Sequence, residues 1–484
     1  MKKFLLIASM AVVGLSAAAQ AVDPASYEVK EGYELRSKWL MTNGNGETGV
    51  AIDDWKNLPL DDFTKATAAT IVNGKAYTTC SQTFYDGINE ETGEPAQLLG
   101  AYGHLVELDG ETGKFLRKID LTLDGNKFEG LLCANHIGKD DFGHLWIAGY
   151  VSNTYSVADG ADPVVKPMNL YQVNTETGEL TLVYGFALDE IEGEGNGARV
   201  DHYDLVGDLT RENARCVFMA CPNEIAATYT WHAEQGSDEW LPGGTEDGEY
   251  IVTYVAETSP ADQTLWNYTP SVSIYNDAPD YSGALYYVDG HTTRPVLYDF
   301  EGTAIEKLAD KAVAEAGVEN PWDEFIPTAN ANGVRQISLN GQDFLIYGLV
   351  FPDNTNWGGH VAIVKLDEEQ SLEEAVPMWL APEGGMSNIK GGGRFYHAIE
   401  PTAAYEANGK WAVDVLVYKE SAGIGVYTIA EEGFFAGVDN IEIENVNAPV
   451  EYFNLNGVNV DQKNLVPGLY ITRQGTKVNK VIVK

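Results

Sequence analysis

Short hairpin-like segments recur along this sequence at nearly constant intervals, and this regularity constrains the fold more than any other feature. Each segment is a β-rich run, a Gly, Asn or Asp turn, and a second β-rich run. The turns are centred near positions 74, 143, 213, 278, 341 and 409, so successive turns are 69, 70, 65, 63 and 68 residues apart. Such periods are typical of repeat architectures in which each repeat is one supersecondary unit.

A second hairpin follows the first in several repeats. Residues 103–121 (GHLVELDGETGKFLRKIDL) match residues 169–186 (NLYQVNTETGELTLVYGF), and a looser copy (ALYYVDGHTTRPVLYDF) occupies 284–300. Two hairpins per period give four strands per repeat, which is the content of one propeller blade. The sequence therefore predicts an all-β fold with a six-bladed β-propeller across residues 22–435. A seven-bladed propeller is the alternative, because the segment before Thr64 could complete another blade.

One segment departs from the β pattern. The run TAIEKLADKAVAEA at 303–316 places its apolar residues at helical spacing. Thr303 and Glu306 form a capping box, and Gly317 can end the helix. The pattern predicts a helical insertion near 303–317, between blades four and five. It would cover a sheet edge or, alternatively, close over a ligand site.

The beginning of the chain has the three parts of a secretory signal. Lys2 and Lys3 give the charged start, residues 4–15 the apolar run, and Ala19-Gln20-Ala21 the small-residue cleavage site. Residues 1–21 are therefore predicted to be a cleaved signal peptide, with a buried N-terminal strand as the alternative. No other segment approaches the length of about 18 apolar residues that a membrane span needs, so no transmembrane segment is expected in the mature chain.

The last 35 residues have a different character from the middle of the chain. Three short alternating runs are separated by turns, and the end carries a basic cluster in an otherwise acidic protein. The order of YFNLNG at 452–457, PGLYI at 467–471 and a lysine-bearing terminus resembles the C-terminal sorting domain (type A) of Bacteroidetes proteins exported by type IX secretion. We expect a linker at 436–449 and a small β domain at 450–484. The resemblance implies interaction with the export machinery and a location outside the cell or on its surface.

Charge and composition exclude several classes of function. Acidic residues number 72 against 31 basic ones, for a formal net charge of -41. A chain this acidic is not expected to bind nucleic acid or anionic lipid surfaces, because both need clustered Lys and Arg. A hydrophobic content of 44%, with 10 Trp, 26 Tyr and 16 Phe, is too high for a disordered acidic chain.

No strong catalytic signature is present in the sequence. Metalloprotease, serine-hydrolase, phosphate-binding and dinucleotide-binding motifs are all missing. The four cysteines are Cys80, Cys133, Cys216 and Cys221. Cys216 and Cys221 are five apart on a predicted strand and should face opposite sides. For Cys80 and Cys133, a disulfide between neighbouring blades and two buried thiols both remain open.

The candidate site lies where the inner strands of a propeller open at a channel mouth. Comparable positions of the repeats carry polar and aromatic residues that suit a sugar, because flat rings stack on its apolar face while polar groups bind its hydroxyls. These residues are His136, His202, Tyr203, Asp204, Trp266, Tyr268, Asn332, Arg394, Tyr396 and His397. The alternative is that channel mouths are wet and polar whatever the function.

Acidic loops raise the question of a metal. Residues 156–162 (SVADGAD) and 353–356 (DNTN) supply hard oxygen ligands of the kind that calcium prefers. Neither follows the order of a calcium-binding loop, so a solvated acidic surface is the favoured interpretation. We expect no cofactor, with calcium as the alternative.

Three functional hypotheses follow from these observations. The first is an exported, non-catalytic propeller that binds a glycan or a protein at the cell exterior. The second is a carbohydrate-active enzyme, a glycosidase or lyase, in which Asp204 and Glu400 are candidate carboxylates because of their register in the repeats. The third is a structural scaffold whose blades form a rigid assembly surface.

Overall fold

The computed structural model of the chain describes most of the repeat region and part of the C-terminal region. The described residues are 26–42, 68–85, 98–128, 136–148, 168–186, 202–221, 227–242, 271–275, 285–289, 295–299, 302–308, 333–349, 360–367, 371–382, 397–419, 423–435, 451–454, 459–460, 463, 465–474 and 477–483. Within this part the fold is all-β, as predicted, and apart from one 3-10 turn at Leu372–Glu374 it holds no helix.

Three sheets form from the first half of the chain. Sheet 1 has the order β2 (Ala69–Val72), β3 (Lys75–Tyr85), β4 (Leu98–Asp109), β5 (Phe115–Asp120). Sheet 2 has the order β8 (His136–Lys139), β9 (Leu145–Ala148), β10 (Met168–Val173), β11 (Glu179–Phe186), extended by β6 (Thr122–Leu123) and β7 (Asn126–Lys127). Sheet 3 has the order β12 (His202–Gly207), β13 (Arg215–Cys221), β14 (Ala227–Ala233), β15 (Leu241–Pro242). All strands of these three sheets pair antiparallel except β6, which pairs parallel with β11 in sheet 2.

Three further sheets form from the second half. Sheet 4 has the order β16 (Ser271–Ile274), β17 (Tyr286–Asp289), β18 (Val296–Tyr298), β19 (Ala304–Lys307). Sheet 5 has the order β20 (Val334–Leu339), β21 (Gln342–Leu349), β22 (His360–Lys365), β23 (Pro377–Ala381). Sheet 6 has the order β24 (His397–Pro401), β26 (Lys410–Lys419), β27 (Gly423–Glu431), β1 (Tyr33–Thr42), and β25 (Tyr405–Ala407) pairs with β26.

A seventh, smaller sheet lies in the C-terminal region. It has the order β29 (Asn459–Val460), β28 (Glu451–Phe453), β30 (Gly468–Gln474), β31 (Lys477–Val483). Its strands follow the alternating runs of the sequence. Tyr470 is its buried residue, with a hydroxyl that donates to the carbonyl of Val466 over 3.1 Å.

The predicted turns are the hairpin turns of the sheets. Asn73-Gly74 joins β2 to β3 with φ values of 50° and 74°, and Asn340-Gly341 joins β20 to β21 with 52° and 85°. Positive φ at both central residues defines the tight turn whose twist matches that of paired strands. The repeated Asp/Asn-x-x-Thr-Gly turn is also present, because the Asp109 carboxylate accepts an N–H bond from Thr112 over 2.8 Å.

The six sheets pack face to face in chain order. The first strand of each sheet (β2, β8, β12, β16, β20 and β24) contacts the first strand of the next, and β24 contacts β2. Apolar clusters fill the space between neighbouring sheets. One joins Trp146 of sheet 2 to Tyr203 and Trp231 of sheet 3, and another joins Phe344 of sheet 5 to Val415 of sheet 6.

The N-terminal strand completes sheet 6. β1 pairs antiparallel with β27 from Tyr33 to Thr42, so the two ends of the repeat region meet in one sheet. Trp39 of β1 is 1% exposed, packs against sheet 1, and donates its indole N–H to the carbonyl of Gly110 over 2.8 Å. This side chain therefore links sheet 6 to sheet 1.

Two glycines test how tightly Trp39 is held. Gly113 has a φ of 69°, and a Cβ atom there would lie 2.7 Å from the Trp39 ring, whereas Gly125 has a φ of 75° and open space. Both alanine substitutions strain the backbone, but only Gly113→Ala also displaces the ring. We expect Gly125→Ala to lower the free energy of unfolding by about 1 kcal/mol and Gly113→Ala by about 2–3 kcal/mol in urea titrations. Equal losses of unfolding free energy in the two variants would contradict close packing of Gly113 against the Trp39 ring.

The structure corrects two sequence interpretations in sheet 4. Residues 304–307 of the predicted helix near 303–317 form strand β19, which pairs with β18, so Thr303 and Glu306 make no helix cap. The preceding strands leave an open sheet edge, and pairing to it overrides the local helical spacing. The run at 284–300 forms β17 and β18, the middle strands, and is not a copy of the outer hairpin. Residues 309–332 lie outside the described part.

Two expectations concern the membrane and the cysteines. Among the described residues, no helix has the length and apolar character needed to cross a membrane. Cys216 is buried as a free thiol in β13, and burial raises the pKa of this thiol. The side chains of Cys80, Cys133 and Cys221 lie outside the described part, so a bridge between Cys80 and Cys133 stays a prediction.

Candidate functional site

One cavity of about 950 Å³ is bounded by the first strands of all six sheets. Each strand contributes at least one residue near its floor or wall. In chain order, these residues are Ile71, Lys139, Asp204, Ile274, Arg335 and Glu400. The cavity is large enough for a drug-sized or oligosaccharide ligand, since binding pockets for such molecules commonly measure about 300–1,000 Å³.

A buried arginine joins two carboxylates at this cavity. Arg335 donates from Nη1 to Asp204 Oδ2 over 2.9 Å and from Nη2 to Asp204 Oδ1 over 3.3 Å. The same Nη2 atom donates to Glu400 Oε1 over 2.9 Å. Arg335 is 9% exposed and Glu400 4%, so water screens these pairs weakly. The two carboxylates, from sheets 3 and 6, are thus held on one guanidinium from sheet 5.

Lys139 lies beside this group. Its ammonium donates to the carbonyls of Ile71, over 3.0 Å, and Pro401, and lies 3.8 Å from Glu400 Oε2. Burial lowers the pKa of Lys139, and the Glu400 carboxylate partly offsets that effect. Lys139 therefore connects sheet 2 to sheets 1 and 6 around the cavity.

Asp204 is a cavity carboxylate with a perturbed acidity. Burial raises its pKa to about 6, although Arg335 and the backbone N–H of Ile274 favour its charged form. The N–H of Ile274 donates to Asp204 Oδ2 over 2.7 Å. A carboxyl group with a pKa near 6 can be protonated or charged close to neutral pH, which is a property of general acids as well as of buried structural pairs.

A second charged group lies at the wall of the cavity. Lys38 of β1 donates over 2.7 Å to Asp414 and over 2.7 Å to Glu111. Burial opposes its charge, but these two hydrogen bonds prevail and raise the pKa of Lys38 to about 12. The Tyr405 hydroxyl donates to Asp414 Oδ1 over 3.1 Å, which fixes that ring beside the cavity.

Aromatic side chains are exposed at the opening. Phe142, in the β8–β9 turn, is 56% exposed, and Tyr275, directly after β16, is 36% exposed. Both line the cavity, together with the half-buried Tyr405. The Tyr275 hydroxyl donates to Asp343 Oδ2 over 2.9 Å, so the orientation of this ring is set by the protein. Exposed flat rings beside buried charged groups provide both a stacking surface and hydrogen-bond partners.

Of the ten predicted binding residues, three have described side chains. Asp204 lines the cavity. His202 is 3% exposed and accepts the N–H of Val272 at Nδ1 over 3.3 Å, which ties sheet 3 to sheet 4. The prediction that Tyr203 binds a ligand is corrected, because its side chain is 0% exposed in the apolar cluster between sheets 2 and 3. Successive strand residues face opposite sides, so His202 and Asp204 cannot share a face with Tyr203.

The other seven predicted residues are not tested. His136 and His397 begin β8 and β24, but their side chains lie outside the described part, as do Trp266, Tyr268, Asn332, Arg394 and Tyr396 altogether. Because a strand rises about 3.3 Å per residue, Lys139, which lines the cavity, lies about 10 Å beyond His136 along β8.

Arg335 and Lys139 were not among the predicted site residues. A signal for them was present, because both are charged residues on the first strand of a repeat. Asp204 and Glu400 are also charged residues on first strands, and the structure brings all four together. A charge on a strand that packs at the centre of a fold needs a partner, and equivalent strands can supply it.

One group of side chains could hold a metal ion. Asp140, His144 and Asp208 place ligand atoms within 4.8 Å of one another. However, Asp140 Oδ2 already accepts the N–H of Leu209 over 2.9 Å and lies 2.6 Å from His144 Nδ1. These bonds connect the β8–β9 turn to the segment after β12. The two predicted calcium loops, 156–162 and 353–356, lie outside the described residues.

A further carboxylate is buried away from the cavity lining. Asp289 of β17 is 0% exposed, and its Oδ1 atom accepts hydrogen bonds from the Ser271 hydroxyl and, over 3.3 Å, the Gly333 N–H. Its Oδ2 atom has no partner among the described residues. Burial raises the pKa of Asp289 to about 7, which those two hydrogen bonds offset in part.

Comparisons with known proteins identify no family. No protein-family profile matches the chain, and no curated protein matches its sequence. Among solved structures, a DUF4623 family protein from Bacteroides eggerthii has a TM-score of 0.48 at 11% identity, covering 78% of this chain and 73% of its own. A sialidase from Trypanosoma rangeli has a TM-score of 0.34 at 8% identity, covering 77% of this chain and 55% of its own. Similarity at this level supports no statement about activity.

Proposed function

We propose that the six sheets are the blades of a six-bladed β-propeller that surrounds the cavity. Two observations support this: the first strands contact one another in chain order back to the start, and β1 pairs with β27. β1 comes from the other end of the chain and completes sheet 6, so no gap is left open between the first and last blades. A seventh blade would need strands from residues 43–67, which lie outside the described part.

We further propose that this protein is exported and binds a glycan in the cavity without converting it. The observation that carries the proposal is the cavity itself, in which four of the six first strands place charged groups and exposed rings form part of the lining. Carboxylates and guanidinium groups form charge-assisted hydrogen bonds to hydroxyls, and aromatic rings cover the apolar face of a sugar. A protein ligand remains the alternative occupant, through a side chain that enters the same cavity.

Binding on a glycan array, followed by calorimetry on the strongest hit, tests the proposal. Phe142→Ala combined with Tyr275→Ala removes the rings at the opening, and we expect at least about a tenfold loss of affinity. Leu182→Ala is the control, since Leu182 is 52% exposed and does not line the cavity. If Tyr396→Ala with His397→Ala abolished binding while the Phe142 and Tyr275 variant bound normally, the glycan would bind at the residues of the predicted channel mouth and not at these rings.

A glycosidase or lyase is the second candidate, and one observation favours it. Asp204 and Glu400 share the Nη2 atom of Arg335, and the raised pKa of Asp204 suits a general acid beside a charged partner. Retaining glycosidases place two carboxyl groups about 5–5.5 Å apart. New reducing or unsaturated ends on a bound glycan, lost in Asp204→Asn, would establish this activity. Silence on the array would favour the scaffold alternative.

We propose that residues 1–21 direct export and are removed, and that the C-terminal region engages the export machinery and places the protein outside the cell or on its surface. Mass spectrometry of the protein recovered from its native host should find an N-terminus at Val22. An intact N-terminus beginning at Met1 would contradict the export proposal. That result would leave glycan binding by the cavity to be judged separately.

A further inference from the structure

In the described lining of the cavity, carboxylates outnumber cationic side chains. Six carboxylates line it: Glu111, Asp140, Asp141, Asp204, Glu400 and Asp414. The lining contains only three cations in the part of the chain that the structure describes: Lys38, Lys139 and Arg335. Carboxylates therefore outnumber cations two to one in the described lining, where the surrounding protein screens charge less than bulk water does.

The three cations are also already engaged. Both terminal nitrogens of Arg335 donate to carboxylates, at 2.9 Å to Asp204 and 2.9 Å to Glu400. Lys38 lies 2.7 Å from each of two carboxylate oxygens. An anionic ligand that pairs with Arg335 or Lys38 would have to compete with the carboxylates that these cations already hold. A displaced carboxylate would then remain near the ligand as an unpaired like charge.

From this charge balance and these contacts, we infer that the cavity selects carbohydrates that carry no negative charge. The inference rests on the proposed glycan binding and specifies its ligand class. Neutral sugars meet no charge repulsion, and their hydroxyls can donate hydrogen bonds to the carboxylates that already hold the cations. Amine-bearing sugars add an attraction to the excess negative charge. Uronates, sialylated glycans and sulfated glycans meet repulsion from it.

Paired ligands on an array of the purified mature protein test this selectivity. Each pair has one backbone in two charge states: an oligogalacturonate and its methyl ester, a sulfated glycan and its unsulfated form, or chitosan and chitin fragments. We expect at least about tenfold weaker binding of each acidic member than of its neutral partner. Equal or tighter binding of acidic members would overturn the inference and leave the proposed function intact. An array without any bound glycan would overturn both.

A charge variant at the opening gives a second, independent measurement. Glu111 has a 70% exposed side chain, so Glu111→Lys should fold normally. It changes the charge beside the cavity by +2. We expect Glu111→Lys to reduce the ratio of the affinity for the neutral member to the affinity for the acidic member by about threefold or more. Glu373→Lys makes the same charge change at an exposed position outside the lining and should leave discrimination as in the unsubstituted protein. Equal effects of both variants would overturn the local origin of the selectivity.

Discussion

Replacement of Arg335 with alanine is expected to lower the free energy of unfolding by about 3–5 kcal/mol, as measured in urea titrations. The guanidinium is the shared partner of Asp204 and Glu400, and both carboxylates would stay buried without it. Removing one partner of a buried ion pair costs more than the pair contributes, because the remaining charge cannot recover its hydration. The same variant should lose glycan binding, because the positions of both carboxylates depend on Arg335.

An exposed arginine provides the matched control. Arg211 pairs with Asp238, but their side chains are 46% and 79% exposed. Water and salt screen such pairs, so Arg211→Ala should change stability by less than about 1 kcal/mol. Adding Asp204→Asn and Glu400→Gln to the Arg335→Ala protein should recover part of the lost stability, since the buried charges are then gone. If Arg335→Ala and Arg211→Ala had similar effects, the buried cluster would not hold the sheets together.

Stability is expected to fall as the pH rises from about 5 to about 8, with Asp289 as a main cause. The pKa of Asp289 is raised to about 7 in the folded protein, against an ordinary value of 3.8. Between these values the folded protein keeps a proton that the unfolded chain has lost. Stability from this group is therefore present at low pH and lost through pH 7. The folded-state pKa lies about two units above pH 5, so at about 1.4 kcal/mol per unit the loss between pH 5 and pH 8 is on the order of 2–3 kcal/mol.

Asp289→Asn imitates the protonated side chain and should remove this dependence. We expect urea titrations to show the variant at least as stable as the unsubstituted protein at pH 8, with a smaller loss between pH 5 and pH 8. Asp120→Asn removes the same charge from a side chain that is 71% exposed, and should leave the loss unchanged. The acids with a lowered pKa, such as Glu107 and Asp208, titrate below this range and do not mask the effect. An unchanged slope in Asp289→Asn would contradict the assignment.

The repeat of the hairpin turns predicted much of the fold, because local chemistry determines those turns. Asn-Gly pairs favour positive φ values at both residues, so the turns at Asn73-Gly74 and Asn340-Gly341 were readable from sequence alone. The strand β19 was not readable, because its residues have helical spacing and become a strand only by pairing with β18. Non-local pairing of this kind leaves no mark on a short window of sequence.

The candidate site was predicted less completely for a related reason. Asp204 and Glu400 stood out by register, but their partner Arg335 lies 131 residues from Asp204 in the chain. Which charges meet depends on how far each first strand reaches toward the cavity. The sequence also favoured His136 and His397, which begin two of these strands and whose side chains lie outside the described part. Tyr203 was misplaced because the alternation of faces within one strand was not applied to it.

A crystal structure of the mature protein with the strongest array glycan bound would locate the ligand directly. We expect the sugar inside the cavity, with hydroxyls within hydrogen-bond distance of Asp204 or Glu400 and one ring face over Phe142 or Tyr275. A sugar bound elsewhere on the protein, with the cavity filled only by solvent, would contradict glycan binding by the cavity.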